Sequence, residues 1–264
     1  MNTETAPKVC SITGKRLTAQ VAPQFALDKL PSLLDQSADP APKACAISGN
    51  RLPDATSTPA LPALEAAFWD QRYAGKEFVW TANANQFLVE EVAGMTPSTA
   101  IDMAAGEGRN ALWLASQDWF VHAIDFSSVA MEKAQRLAVE RSLANKVSFE
   151  TADLRAFEPP AQTFDLVAFV YLQIPLNELA PILKRAVRAV AHNGTLLFIA
   201  HNIDNLAKGF GGPQHPKMLY TVRQIVDALG DELVIEKTVQ AERRIKTADG
   251  EKVAIDMVVR AKRA

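Results

Sequence analysis

The sequence predicts an α/β protein built on a doubly wound, mostly parallel sheet of seven strands that ends in an antiparallel hairpin. Three observations carry that prediction. From residue 61 onward, short apolar runs alternate with amphipathic stretches, the pattern of repeated βα units. The run Phe164–Tyr171 is almost continuously apolar, as a strand covered on both faces must be. Near the C-terminus, two long β-rich segments flank Asp249-Gly250, a dipeptide suited to a hairpin turn.

The elements follow in order. Leu61–Tyr73 and Asn83–Ala93 read as helices ahead of the sheet. Thr99–Ala104 is a short strand and Gly108–Ser116 a helix. Phe120–Asp125 is the second strand, and the helix Ser128–Ser142 starts at a Ser-Ser cap. Val147–Thr151 and Phe164–Tyr171 are the third and fourth strands. The amphipathic helix Glu178–Ala191 is expected to stop at Asn193-Gly194, before the buried strand Thr195–His201. The segment 202–220 holds three glycines and two prolines, has little regular-structure signal and reads as a lid loop. Thr221–Leu229 is helical, and Glu232–Arg244 and Val253–Ala261 form the hairpin.

Composition limits the function classes. The 264 residues carry 28 Lys+Arg against 30 Asp+Glu, a net charge of −2. That leaves no basic footprint for nucleic acid and no polybasic membrane patch. No apolar run approaches the length of about 18 residues that a spanning helix needs. The start Met1-Asn2-Thr3-Glu4-Thr5 lacks the features of a secretory signal. With only Cys10 and Cys45, a disulfide-stapled fold is excluded, and a cytoplasmic location is expected.

Character changes near residue 60, so we divide the chain into an extension, 1–60, and a domain, 61–264. Residues 1–62 hold eight of the fifteen prolines and one aromatic, Phe25. Within the extension, Ala6–Leu17 reappears as Ala41–Leu52, with eight of twelve positions identical. Each copy centres on a Cys-x-x-[Ser/Thr]-Gly turn. Two readings stand: a loosely packed duplicated leader, or a thiolate donor whose four-ligand set is completed across a dimer. No His or third Cys lies in this region, so no metal is assigned.

In an open α/β sheet, ligands bind beyond the carboxyl ends of the strands. Here the first three strands are followed by Asp102, Asp125 and Asp153. Gly106-Glu107-Gly108-Arg109-Asn110-Ala111 fits a dinucleotide-type glycine turn, so an NAD-dependent oxidoreductase must be weighed. A carboxylate at Asp102, just before that turn, would repel a pyrophosphate. It would attract a cationic, phosphate-free nucleoside such as S-adenosylmethionine (SAM). The small residues Ala104, Ala105, Gly106 and Gly108 permit close backbone approach.

These residues resemble the motifs of the class I SAM-dependent methyltransferases. Ala100–Asn110 is similar to their first motif, which usually has Gly at the place of Ala104. His122–Ser127 is similar to the ribose motif and Thr151–Leu154 to the adenine motif. Phe164–Val167 and Asn193–Leu197 resemble the starts of the fourth and fifth strands. Phe68–Tyr73 together with Gly106–Asn110 resembles the tellurite-resistance and thiopurine (thiol) methyltransferase type. The resemblance covers 61–264 and implies a Rossmann-like fold, SAM as cofactor and a small-molecule methyl acceptor.

Roles follow as expectations. Asp102 faces the methionine ammonium, with Arg109 and Asn110 near the methionine carboxylate; helix capping and a solvated helix face are the alternatives. Asp125 takes the ribose hydroxyls, with Ser127 in the same ribose motif, and Ala104, Gly106 and Gly108 form the turn that the cofactor approaches. Asp153 takes the adenine amino group beside Phe126 and Leu154. Tyr171 and His201, leaving the fourth and fifth strands, are the catalytic candidates on the acceptor side; Tyr171 also counts among the cofactor contacts, and the alternatives are that it only packs beside SAM and that His201 is a satisfied rim histidine. Asp165 starts its strand about 20 Å from that end, at ~3.3 Å per residue, and reads as structural. Trp69, Tyr73, Phe78 and Trp80 form either a cover over the sulfonium or helix core. The sequence shows no unmistakable base, which favours a soft, thiol- or chalcogen-type acceptor. A SAM-binding fold serving as an interaction module is the remaining alternative.

Overall fold

The structure is a computed structural model that describes residues 65–75 and 77–264. The extension, its repeat, Cys10 and Cys45, and residues 61–64 of the first expected helix lie outside the described residues.

Two helices, α1 (Ala66–Tyr73) and α2 (Gln86–Val92), precede the sheet. The core then alternates as β1 (Thr99–Met103), α3 (Arg109–Ser116), β2 (Phe120–Asp125), α4 (Ser128–Glu140), β3 (Val147–Thr151), β4 (Phe164–Val170), α5 (Leu176–Ala189) and β5 (Val190–His201). A short α6 (Asn205–Lys208) and a 3-10 turn (Pro216–Met218) lead to α7 (Val222–Leu229) and the hairpin β6 (Val234–Thr247) and β7 (Gly250–Lys262). The seven strands lie in the order β3-β2-β1-β4-β5-β7-β6. β1 to β5 pair in parallel, and β7 is antiparallel to both neighbours. Strand order reverses between β1 and β4, the place where such sheets open a crevice for ligands.

The inner strands β1, β2, β4, β5 and β7 are buried on both faces over most of their length, so successive side chains of one strand join different cores, while the edge strands β3 and β6 are largely exposed. Ile101, Met103, Val167, Phe169 and Phe198 pack under α5 and α7. Ala100, Leu166, Ala168, Leu197 and Ile199 pack with residues of α2, α3 and α4. Asp102 follows the parity of Ala100, His201 that of Ile199, and Asp256 that of Val258, so all three fall on this second face.

The described elements depart from expectation in two places. The segment Asn193-Gly194 does not end a helix in a turn. The helix stops at Ala189, and the dipeptide sits in an irregularity of β5, where pairing jumps from Phe164↔Val190 to Leu166↔Thr195. Asn193 takes φ 60°, and a side chain at Gly194 would come within 2.9 Å of the Phe164 and Ala191 carbonyls. The segment 202–220 is more ordered than a bare loop. Asn202 bridges Tyr220, the Phe210 amide donates to the Val253 carbonyl, and the Tyr220 hydroxyl accepts from the Ile174 amide at 2.9 Å. No helix among the described residues is long and apolar enough to cross a membrane.

Candidate active site

The carboxyl ends of β1, β2 and β4 meet at the glycine turn that follows β1. Ala104 opens the turn with φ 69°, a left-handed conformation that costs a residue with a Cβ about 1–2 kcal/mol. That explains why the motif it resembles prefers glycine there. Gly106 follows with φ 55°, and a Cβ on it would lie 3.1 Å from the Tyr73 hydroxyl. Gly108 (φ 79°) serves packing: its Cβ would lie 2.8 Å from the Ala134 Cβ, so it lets α3 close on α4.

Asp102 lies at the carboxyl end of β1 under this turn, 1% exposed, and neither carboxylate oxygen has a hydrogen-bond partner among the described residues. Burial pushes its pKa up to about 7; the Arg109 charge opposes the shift and the Asp125 charge adds to it. A buried carboxyl without a donor is costly, so this position suits a cationic ligand group. Arg109 is half-buried close by, and burial lowers its pKa. Among the described residues it forms no ion pair within 4.0 Å.

Asp125 ends β2 and is tied by two amides. Gly106 donates to Oδ2 at 2.9 Å and Ser127 to Oδ1 at 3.0 Å. Burial still pushes its pKa up to about 6. Ser127 is wholly buried as the cap of α4: its hydroxyl accepts from the Ala130 amide and donates to Asp70 of α1 at 2.6 Å. Its side chain is therefore committed to the scaffold rather than turned to a ligand.

A cavity beside the turn gathers Ala104, Asp125, Phe126, Asp153 and Leu154, five of the residues named for the cofactor, with Leu172 and Ile174 from the far side of β4. Apolar walls with carboxylates at the rim suit a flat base joined to a ribose. Asp153 grips Arg155 with both oxygens, at 2.6 Å to its Nη2, and this hydrogen bonding holds its pKa below the ordinary range. Asp102, Gly106, Gly108, Arg109 and Asn110 lie outside that cavity, at the turn itself.

Glu107 and Asn110 hold the segment that precedes β1. Glu107 accepts from the Val79 amide at 2.8 Å and from Lys133, which also donates to the Gly75 and Glu77 carbonyls. Asn110 Oδ1 accepts from the Asn85 amide at 2.9 Å, so its side chain is a staple between α3 and the start of α2. The aromatic residues nearby differ in role. Trp69 stacks on Tyr73 with centroids 5.6 Å apart. The cation over Trp69 and Trp80 is the chain's own Arg72, at 5.5 and 5.3 Å, and Phe78 lies under Lys133. Tyr73 alone among them reaches the glycine turn.

Tyr171 leaves β4 with φ 64°, a strained conformation of the kind concentrated at functional sites. Its hydroxyl donates to Asp256 Oδ2 at 2.7 Å and its ring lies 4.9 Å from that of His201. Asp256 and Arg243 were not anticipated. A lone Asp inside the apolar run Val253–Val259 was the available signal. Asp165 is bound at the opposite end of the sheet by the Thr99 hydroxyl and amide, at 2.8 and 3.2 Å.

Residues 100–194 match the model of a methyltransferase domain. Ajmaline N-methyltransferase of Rauvolfia serpentina is 27% identical over 135 residues, half of this chain and 46% of that enzyme, so the match spans about half the length of the curated relative. Two solved structures share the fold. One, described as "Conversion of a Disulfide Bond into a Thioacetal Group during Echinomycin Biosynthesis", has a TM-score of 0.59 and 20% identity, and the alignment covers 75% of this chain and 92% of that one. The other, a SAM-dependent methyltransferase of Methanosarcina mazei, has a TM-score of 0.54 and 17% identity over 69% of this chain and 98% of that one.

Proposed function

We propose that this chain, which carries a SAM-dependent methyltransferase domain of the Rossmann-like, class I fold, methylates a small, soft nucleophile of the thiol or chalcogen type. The observation that carries the cofactor reading is Asp102: a buried carboxylate, with no hydrogen-bond partner among the described residues, under a turn made of small residues. SAM brings an ammonium, a sulfonium and no phosphate, and when bound it supplies an already activated methyl group. Asp102 would meet the ammonium and Arg109 the methionine carboxylate. Asp125 would hold the ribose hydroxyls with the lone pairs that Gly106 and Ser127 leave free, and Asp153 and Phe126 would border the adenine.

Because the methyl group arrives activated, the protein's part is to align the acceptor and exclude water. Tyr171 and His201 border the acceptor side, with the Trp69–Tyr73 stack closing over the turn. A sulfur or selenium nucleophile asks least of such a site, and the solved relative described by sulfur chemistry is in keeping with it. The N-methyltransferase relative favours a second reading, an amine acceptor, in the same place. A methyl-transfer screen with radiolabelled SAM over thiols, thiopurines, selenite, tellurite, phenols and amines separates the two. Methylation confined to amines would contradict the soft-acceptor reading. Binding of NADH in place of SAM would contradict the cofactor, and tight SAM binding without transfer to any acceptor would favour an interaction module.

A further inference from the structure

Four polar side chains from four strands meet at the β4–β5–β7–β6 side of the site. Asp256 of β7 lies opposite His201 of β5 in the antiparallel register and is 0% exposed. Its Oδ2 accepts from the Tyr171 hydroxyl at 2.7 Å and from Arg243 Nε of β6 at 2.8 Å. Its Oδ1 lies 2.7 Å from His201 Nδ1. Burial pushes the Asp256 pKa up, but the His201 contact, the Arg243 charge and the Tyr171 hydroxyl outweigh it and hold the carboxyl below its ordinary range. The group is thus an anion in the protein interior, with Oδ2 bonded to Tyr171 and Arg243 and Oδ1 at ion-pair distance from the histidine.

The two ring nitrogens of His201 differ. Nδ1 is buried in ion-pair contact with Asp256 Oδ1, outside hydrogen-bond alignment, whereas Nε2 has no hydrogen-bond partner among the described residues and belongs to a ring that is 8% exposed. The Gly212 backbone packs on that edge: a Cβ there would come within 2.7 Å of Nε2, and Gly212 itself has φ 72°. An imidazole whose Nδ1–H faces a buried carboxylate presents a bare, basic Nε2. The imidazole packs on the Tyr171 ring, with centroids 4.9 Å apart, at the carboxyl ends of β4 and β5 where the acceptor is expected.

We infer that Asp256 positions His201 so that its Nε2 takes the proton of a neutral acceptor, such as an alkyl thiol, as that acceptor is methylated. The inference rests on the methyltransferase reading and deepens it, since a soft acceptor no longer has to arrive ionised. In the step, the acceptor's S–H bond breaks and the proton goes to Nε2. The electron pair left on the acceptor sulfur forms the new bond to the methyl carbon, and the pair of the broken sulfonium–carbon bond stays with the cofactor sulfur. The imidazolium then faces the Asp256 carboxylate and gives its proton to water after product leaves. His201 is the catalytic residue; Asp256 is a positioning residue, held by Tyr171 and Arg243.

The test uses the full chain and its His201→Gln and Asp256→Asn variants. Ring-nitrogen NMR of the SAM-free protein reads the tautomer, with the His201 signals identified by their loss in His201→Gln. The proton on Nδ1 is the expected result, and a proton on Nε2 with Nδ1 bare overturns the inference whatever the activity. Methyl transfer is then followed to 2-mercaptoethanol, neutral near pH 7, and to thiophenol, largely ionised there. His201→Gln should slow the alkyl thiol by about 10²-fold, the lower end of general-base effects, and thiophenol far less. Asp256→Asn should fall between, with KM for SAM unchanged in both. Equal losses on the two thiols would assign His201 a structural role and overturn the inference. Calorimetry with SAM keeps the two readings apart. A wild-type chain that fails to bind SAM removes the methyltransferase reading. One that binds SAM but methylates neither thiol removes the soft acceptor, while the tautomer still decides for or against the dyad.

Discussion

Asp102 and Ala104 both hold states that a ligand-free protein has no reason to keep. The Asp102 carboxyl, raised by burial to about 7, lies well above the ordinary value of 3.8. Its unfolded form therefore gives up a proton more readily than its folded form. Stability of the ligand-free chain should fall as pH rises from the ordinary carboxylate range to about 7 and then level off, and the smaller rise at Asp125, to about 6, acts in the same sense. Asp102→Asn should raise the melting temperature of the ligand-free chain at pH 8 and weaken SAM by about 1.5–3 kcal/mol, the range for a bond to a charged group. Calorimetry and thermal melts measure both, and a variant that loses stability without losing affinity contradicts the assignment. A cation that pairs with the ionised form also makes SAM affinity fall as pH drops through about 7, with proton release on binding near that pH; a flat profile contradicts it. Ala104→Gly should stabilise the fold by about 1 kcal/mol, because glycine takes φ 69° without steric cost while loosening the unfolded chain. Denaturant melts read that difference, and a loss of stability would show that the Ala104 methyl contributes more in packing than it costs in strain.

At the scale of elements, residues 75 and 77–85 are held over the glycine turn by Glu107 of that turn and by Asn110 and Lys133 of the helices that follow. Glu107 and Lys133 clamp their backbone from below, and Asn110 clamps Asn85. Glu107→Gln exchanges the Lys133 ion pair for a neutral contact, so limited proteolysis should cut between residues 75 and 85 several-fold faster, with SAM restoring protection. Unchanged cleavage would show that the clamp does not hold this segment. The same elements show what was legible in advance. Carboxylates at the ends of β1 and β2 and after β3 could be read because strand ends are local and parallel strands bring them to one rim. Asp256 could not be assigned a partner, because its place opposite His201 depends on the β5–β7 register, a pairing across more than fifty residues. Glu107 and Asn110 sit in a motif that reads as ligand-facing, yet their side chains turn to the preceding segment, which only tertiary packing decides. Asn193-Gly194 carries a turn signature that the β5 irregularity uses equally well.

Across the whole molecule, the reversal of strand order between β1 and β4 opens one crevice with two unlike sides. The cavity with Leu154, Leu172 and Ile174 borders the α5 side of the sheet. Asp102, His201 and Asp256 share the other face. A ligand with a flat base at one end and a charged chain at the other fits that division, and on the second face the hairpin strands β6 and β7 add Arg243 and Asp256 to an otherwise parallel sheet. Binding to the folded state alone should stabilise the chain by about 2.7 kcal/mol when SAM is at a hundredfold excess over its Kd. The most direct test of the central claim is isothermal titration of the full chain, at pH 8, with SAM, its demethylated product and NADH in parallel. The account predicts one site for SAM and its product, weakened in Asp102→Asn and in Asp125→Ala, and no heat from NADH. Saturable binding of NADH with none of SAM would contradict it.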